Sequence, residues 1–240
     1  MYIMKKYIPN QHGAWAMLIL PFLFGVASSQ GQFLHIPLFL CWLLIYLFSF
    51  PLLQGVKTGK FQRYAQPMKV YGMLLLPFIV FLVIAEPDLL WFVLPLVPLF
   101  AVNLYYAKTK NERALVNDIS AILAFCLIIY PVFYVGQGES WSTATELFLL
   151  SALYFVGTAL YVKTVIRERK NITFYYGSVL YHLIVAGIGF FLFPSLLIPL
   201  IILLLRAAIL PKTGITAKRT GMIEIGFSLM LYVSVLVLYF

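Results

Sequence analysis

Three groups of polar side chains interrupt an otherwise apolar chain, and their types suit anion binding and proton transfer. Asn103, Arg113, Asn117 and Asp118 fall in one polar stretch and Arg167-Glu168-Arg169-Lys170 in a second, while His182 stands in an apolar run four residues after Ser178. Guanidinium forks bind phosphate or carboxylate bidentately without a metal. Arg113, Arg167 and Arg169 are therefore candidate holders of an anionic head group, with Asn103, Asn117, Tyr161 and His12 as candidate ligand-binding positions around it. Asp118, Glu168 and His182 can exchange a proton and are the candidate catalytic residues if a reaction occurs. Each has a plainer reading. An acid in the first turns of a helix is favoured by the helix dipole, so Asp118 can simply pair with Arg113 or Lys110. His182 can bond to a neighbouring hydroxyl, and His12 can sit at the interface against lipid head groups.

The elements that must position these groups are membrane helices. With 63% hydrophobic and 10% charged residues, the chain has too little polar surface to coat a water-soluble globule of 240 residues. Crossing the hydrocarbon core takes about 20 mainly apolar residues. Cutting the chain at its charges, glycines and prolines gives nine candidate spans, roughly 12–30, 34–53, 70–86, 89–107, 114–135, 146–165, 173–192, 195–210 and 222–240. Nine spans with a cytoplasmic N-terminus put all 17 Lys and Arg residues on the cytoplasmic side and only Glu86, Asp88, Glu139 and Glu146 on the other. Segregation this complete follows the positive-inside rule. The net charge of +9 then reflects topology and attraction to anionic lipid, and nucleic acid is not an expected partner.

Along the chain, the second helix is expected to end at Gln54-Gly55, before a basic, solvated loop over 56–67 that contains no carboxylate. Tyr154, Thr158 and Tyr161 form a polar-tinged stripe on the sixth helix that continues to Glu168, and His182 lies roughly 12 Å into the seventh at 1.5 Å per residue. Glu224 either pairs with Arg219 or faces the bundle, whereas Arg206 is grouped with the basic loop that follows it. Cys41 and Cys126 lie in apolar runs without metal-binding spacing and read as small core residues. The first apolar run has no convincing cleavage site and is expected to remain as a helix, and one polytopic domain over 1–240 accounts for the chain.

The opening Asn10-Gln11-His12-Gly13-Ala14-Trp15-Ala16-Met17, the segment from Asn111-Glu112-Arg113 to Asn117-Asp118, and the turn Ile166-Arg167-Glu168-Arg169 together resemble the YwiC-like family of bacterial membrane proteins. A fainter similarity, through Tyr105-Tyr106-Ala107-Lys108, is to the UbiA-type prenyltransferases. That resemblance implies an all-α bundle of nine helices with a cytoplasmic N-terminus and a cytoplasmic-facing cavity. It also implies aspartate-rich motifs after the second and sixth helices that hold Mg²⁺ against a diphosphate. This chain departs there, with Lys57, Lys60 and Arg63 at the first location and Arg167-Glu168-Arg169-Lys170 at the second. One glutamate does not make two metal motifs, so neither a metal nor another cofactor is expected, and Mg-dependent prenyl transfer is not the reaction this sequence favours.

The expectation is a multi-pass protein of the bacterial cytoplasmic membrane, partnered by the lipid bilayer. Its basic cytoplasmic-facing cavity would take an anionic amphiphile such as an isoprenoid phosphate, a phospholipid or a quinone-like acid. The alternatives are a transporter using Asn103, Asp118 and His182 as an ion or proton path, and a structural membrane partner whose loops dock another protein.

Overall fold

The structure is a computed structural model that describes residues 12–240, apart from the side chain of His12. The described residues form helices and connections, with no β-strand among them. In order these are α1 (His12–Ala27), α2 (His35–Thr58), α3 (Phe61–Ala85), a 3-10 segment Pro87–Val93, α4 (Leu96–Lys108), α5 (Leu115–Cys126) and α6 (Ile129–Val135). After these come α7 (Trp141–Ile166), α8 (Ile172–Leu192), α9 (Leu197–Ile209) and α10 (Ala217–Ser234), which runs into a π-helical turn Val235–Tyr239. Among the described residues, seven helical runs are long and apolar enough to cross a membrane. The pair Pro87–Val93 and Leu96–Lys108 passes the same test as one span bent by 43°, and Gly13–Ala27 is apolar but shorter.

Proline chemistry explains where these helices break. A proline lacks the N–H that would bond to the carbonyl four residues back, and its ring crowds that carbonyl. Pro98 leaves the Leu94 carbonyl to the Val97 N–H, at the bend before α4, and Pro131 leaves the Leu127 carbonyl to the Tyr130 N–H, a tightened turn between α5 and α6 inside the single span Leu115–Val135 that matches the expected 114–135.

The expected loop over 56–67 is corrected. Helix α2 continues through Gly55 to Thr58, and α3 starts at Phe61, so only Gly59 and Lys60 connect them. Gly59 takes the left-handed conformation, φ 69°, and its N–H caps the carbonyl of Gly55. Gly55 does not stop the helix; it makes room, since a Cβ there would stand 2.9 Å from the ring of Phe61. Lys57 is consequently a last-turn helical residue that pairs with Glu112, and not part of an unpaired basic loop.

Two compact units divide the described chain, one over 17–150 and one over 12–16 with 151–240. In the first, α2 packs on α3 and also meets α4 and α6, while α4 packs on α5. Gly25 of α1 lies directly against α6, because a Cβ there would stand 2.7 Å from Val132 Cβ. His35 Nε2 donates to the Val132 carbonyl at 3.0 Å, and its Nδ1 accepts from the Gln32 N–H at 3.1 Å, so this histidine is a satisfied structural group. Cys41 and Cys126 are buried free thiols.

In the second unit, α8 packs on α9 and α10 on α9. The outward faces of both units are apolar, with Phe191, Ile84, Val237 and Ile198 at 79, 76, 71 and 70% exposure. A water-soluble protein does not display side chains of this kind so widely, whereas lipid tails solvate them. Polar groups lie inside, and they are what the second unit is built around.

Candidate functional site

The polar cluster of the second unit draws on four helices. From α7 come Tyr154, Thr158 and Tyr161, spaced four and three apart on one face. Ser178 and His182 are one turn apart on α8, Arg206 is in the last turn of α9, and Glu224 and Ser228 are one turn apart on α10. All eight are buried, with Arg206 3% and Glu224 4% exposed.

Arg206 is the hub. Its Nη1 donates to Glu224 Oε2 at 2.6 Å and approaches Thr158 Oγ1 at 3.4 Å, and its Nη2 reaches His182 Nε2 at 3.3 Å. The guanidinium carbon lies 4.6 Å from the ring centroid of Tyr161 and 5.2 Å from that of Phe227, so two aromatic faces back the cation. His182 Nδ1 is 2.8 Å from the carbonyl of Ser178. A carbonyl accepts and a guanidinium donates, so Nδ1 carries the hydrogen and Nε2 offers its lone pair, which fixes the neutral tautomer. Close packing holds the ring in place, since a Cβ on Gly157 would stand 3.0 Å from His182 Nε2. Tyr154 and Ser228 hydroxyls share a hydrogen bond of 2.9 Å beside the ion pair.

The cluster is charge-balanced but not saturated. Arg206 Nε, Glu224 Oε1, Tyr161 Oη and Ser178 Oγ are buried without hydrogen-bond partners. Unpaired polar atoms inside a protein are costly and uncommon. In a membrane-spanning unit, buried ionisable residues mark a functional site by default.

Relatives of the chain place it in a family. A sequence profile described as YwiC-like protein matches residues 8–134, more than half of the chain. This chain belongs to the YwiC-like family. The "Uncharacterized protein YwiC" of Bacillus subtilis (strain 168) is 44% identical over 181 residues, covering 75% of this chain and 76% of its own. An "Uncharacterized protein" of Haemophilus influenzae (strain ATCC 51907 / DSM 11121 / KW20 / Rd) is 32% identical over 236 residues, 98% of this chain and 99% of its own. No solved structure matches.

Within this YwiC-like chain the sequence-derived candidates fall into separate groups. Tyr161 and His182 join the cluster around Arg206. Asn103 and Asn117 meet each other in the first unit, where Asn103 Nδ2 donates to Asn117 Oδ1 at 2.9 Å and to its carbonyl at 3.2 Å. Asn117 Nδ2 then donates to the Glu112 carbonyl at 2.8 Å, and Ser120 Oγ to the Leu99 carbonyl at 2.8 Å, so this polar stretch clasps α4 to α5. Arg113 is exposed and Asp118 half-buried, each engaged with other groups. Arg167 and Arg169 are exposed. Glu168 Oε2 accepts from Asn171 Nδ2 at 2.9 Å, while Asn171 Oδ1 caps α8 by accepting from the Phe174 N–H at 3.0 Å. The side chain of His12 lies outside the described residues.

Ser228 was not considered in the sequence, and neither Arg206 nor Glu224 was a candidate site residue. Arg206 was grouped with the basic loop, yet it is buried and turned inward on α9. The signal was its setting: it follows Leu203-Leu204-Leu205, precedes Ala207-Ala208, and stands six residues before the next cation, Lys212. Of the two readings open for Glu224, the inward one holds.

Proposed function

We propose that this YwiC-like protein binds the anionic head of an amphiphile, an isoprenoid phosphate, phospholipid or quinone-like acid, at the basic end of its second unit. In this reading it spans the bacterial cytoplasmic membrane nine times, N-terminus inside, in a UbiA-like bundle, and Arg167 and Arg169 grip the head group.

The observation that supports the reading is the meeting of two basic segments. Arg169 Nη2 lies 3.2 Å from where a Cβ on Gly214 would stand, and Lys212 Nζ lies 5.1 Å from the ring centroid of Tyr175. The α7–α8 turn and the α9–α10 connection therefore come together, bringing exposed Arg167, Arg169, Lys170, Lys212, Lys218 and Arg219 to one end. Glu168 is the sole acid in those two segments, and Asn171 already engages it. Clustered cations near a membrane surface attract anionic lipid, and the guanidinium forks add geometric selection for phosphate or carboxylate oxygens.

Thermal unfolding of the purified protein in detergent tests this. An isoprenoid diphosphate should stabilise it with or without Mg²⁺, by about 2.7 kcal/mol at a hundredfold excess over Kd. The neutral isoprenoid alcohol should not, and the Arg167→Ala, Arg169→Ala double variant should lose the effect. No shift with the diphosphate would sink the reading, and a shift that requires Mg²⁺ would replace the basic grip with a metal-dependent one.

A further inference from the structure

The Arg206–Glu224 pair takes no part in the head-group reading, and its surroundings decide what it can take up. As a source of stability a buried ion pair is replaceable, because well-packed apolar side chains of similar volume serve at least as well. Glu224 is the one carboxylate of the cluster. The titratable groups around it are Tyr154 and Tyr161 from α7, His182 from α8 and Arg206 from α9, with Lys163 of α7 also buried and engaged in an interaction of its own.

The two carboxylate oxygens are not equivalent. Oε2 accepts from Arg206 Nη1 at 2.6 Å, whereas Oε1 is buried without a partner. His182 does not compete for a proton. Its Nδ1 hydrogen is committed to Ser178, and a proton on Nε2 would put a second cation 3.3 Å from the guanidinium.

We propose that Glu224 is a proton-binding site inside the membrane-embedded unit, taking its proton on Oε1 and thereby removing the negative charge that balances Arg206, while Oε2 remains an acceptor. The balance is one proton from solvent, one new O–H bond, and no covalent bond broken. The cluster passes from net neutral to a net charge of +1, carried by a guanidinium that the Tyr161 and Phe227 rings still back. Loading the site converts an ion pair into a buried charge without its counter-charge, on α9 opposite α7, α8 and α10. This site is independent of the basic end, so it stands or falls without the head-group reading.

The test is pH-dependent infrared difference spectroscopy on the full chain in phosphatidylcholine vesicles, from about pH 9 to about pH 2.5, which brackets ordinary carboxyl titration. One component of the protonated-carboxyl C=O band should be absent in Glu224→Gln and present in Glu168→Gln. A second variant keeps the proposal open to refutation if Glu224→Gln folds poorly. Arg206→Met leaves the carboxyl in place without its counter-charge, so the same component should appear at higher pH. A band unchanged in Glu224→Gln, or a component that does not move in Arg206→Met, overturns the proposal.

Discussion

His182 and Arg206 face each other across 3.3 Å with the histidine as acceptor, because its other ring nitrogen is spent on the Ser178 carbonyl 2.8 Å away. A neutral histidine thus supports a buried cation in the second unit. Replacing it with an apolar ring leaves one guanidinium nitrogen with only the long contact to Thr158, 3.5 Å. His182→Phe should cost about 1–3 kcal/mol in thermal unfolding, as expected for a buried charged donor left short of a partner. His182→Gln, which keeps an acceptor, should cost less, and equal losses in the two variants would refute the acceptor role.

The Arg206–Glu224 pair should behave non-additively. Glu224→Leu alone strands a buried cation and should lose about 3–5 kcal/mol, while Arg206→Met with Glu224→Leu should return close to the wild-type stability. Additive losses in a double-mutant cycle would show that the two residues are not coupled.

The clasp between α4 and α5 makes a smaller claim. Asn103→Ala and Asn117→Ala each remove the bond of 2.9 Å between them, worth about 0.6 kcal/mol and at most about 1.7 kcal/mol in a membrane setting. The double variant should cost clearly less than the sum, measured by unfolding in detergent.

Gly25 should resist even a methyl group. A Cβ there would stand 2.7 Å from Val132 Cβ and 3.1 Å from the Ile129 carbonyl, so Gly25→Ala should lose about 1–3 kcal/mol through overpacking. Trimming the facing side chain in Gly25→Ala, Val132→Ala should recover part of that loss. The trimming removes the Cγ1 contact, also at 2.7 Å, so no recovery would place the strain in the contacts it leaves, with Val132 Cβ and the Ile129 carbonyl.

Helix type and approximate extent were legible in the sequence because apolar length carries that signal directly. The breaks were less legible. Pro98 and Pro131 interrupt α-helical bonding at Leu94 and Leu127, yet Pro51 and Pro77 lie within continuous helices, so a proline alone does not announce which outcome holds. Gly55 misled for a related reason: the sequence shows a helix-weakening residue, and only the Phe61 ring reveals why the helix runs through it. In the candidate site, the spacing of Tyr154, Thr158 and Tyr161 and the depth of His182 pointed to an inward polar face. Arg206 was hidden by its proximity to a basic loop, since linear charge grouping does not distinguish a side chain turned to solvent from one turned into the bundle. Asn103 and Asn117 were marked as candidate ligand-binding positions, and their polarity is used to join two helices.

The two-residue link between α2 and α3 makes them a locally determined hairpin. Each helix is longer than a bilayer core requires, at 24 and 25 residues, and α3 buries little of its surface against the rest of its unit. With only Gly59 and Lys60 between them, the end of one and the start of the other stay side by side whatever the rest of the chain does. The register of this hairpin is set at its own turn, by Phe61 seated on Gly55, and needs no residue beyond the two helices.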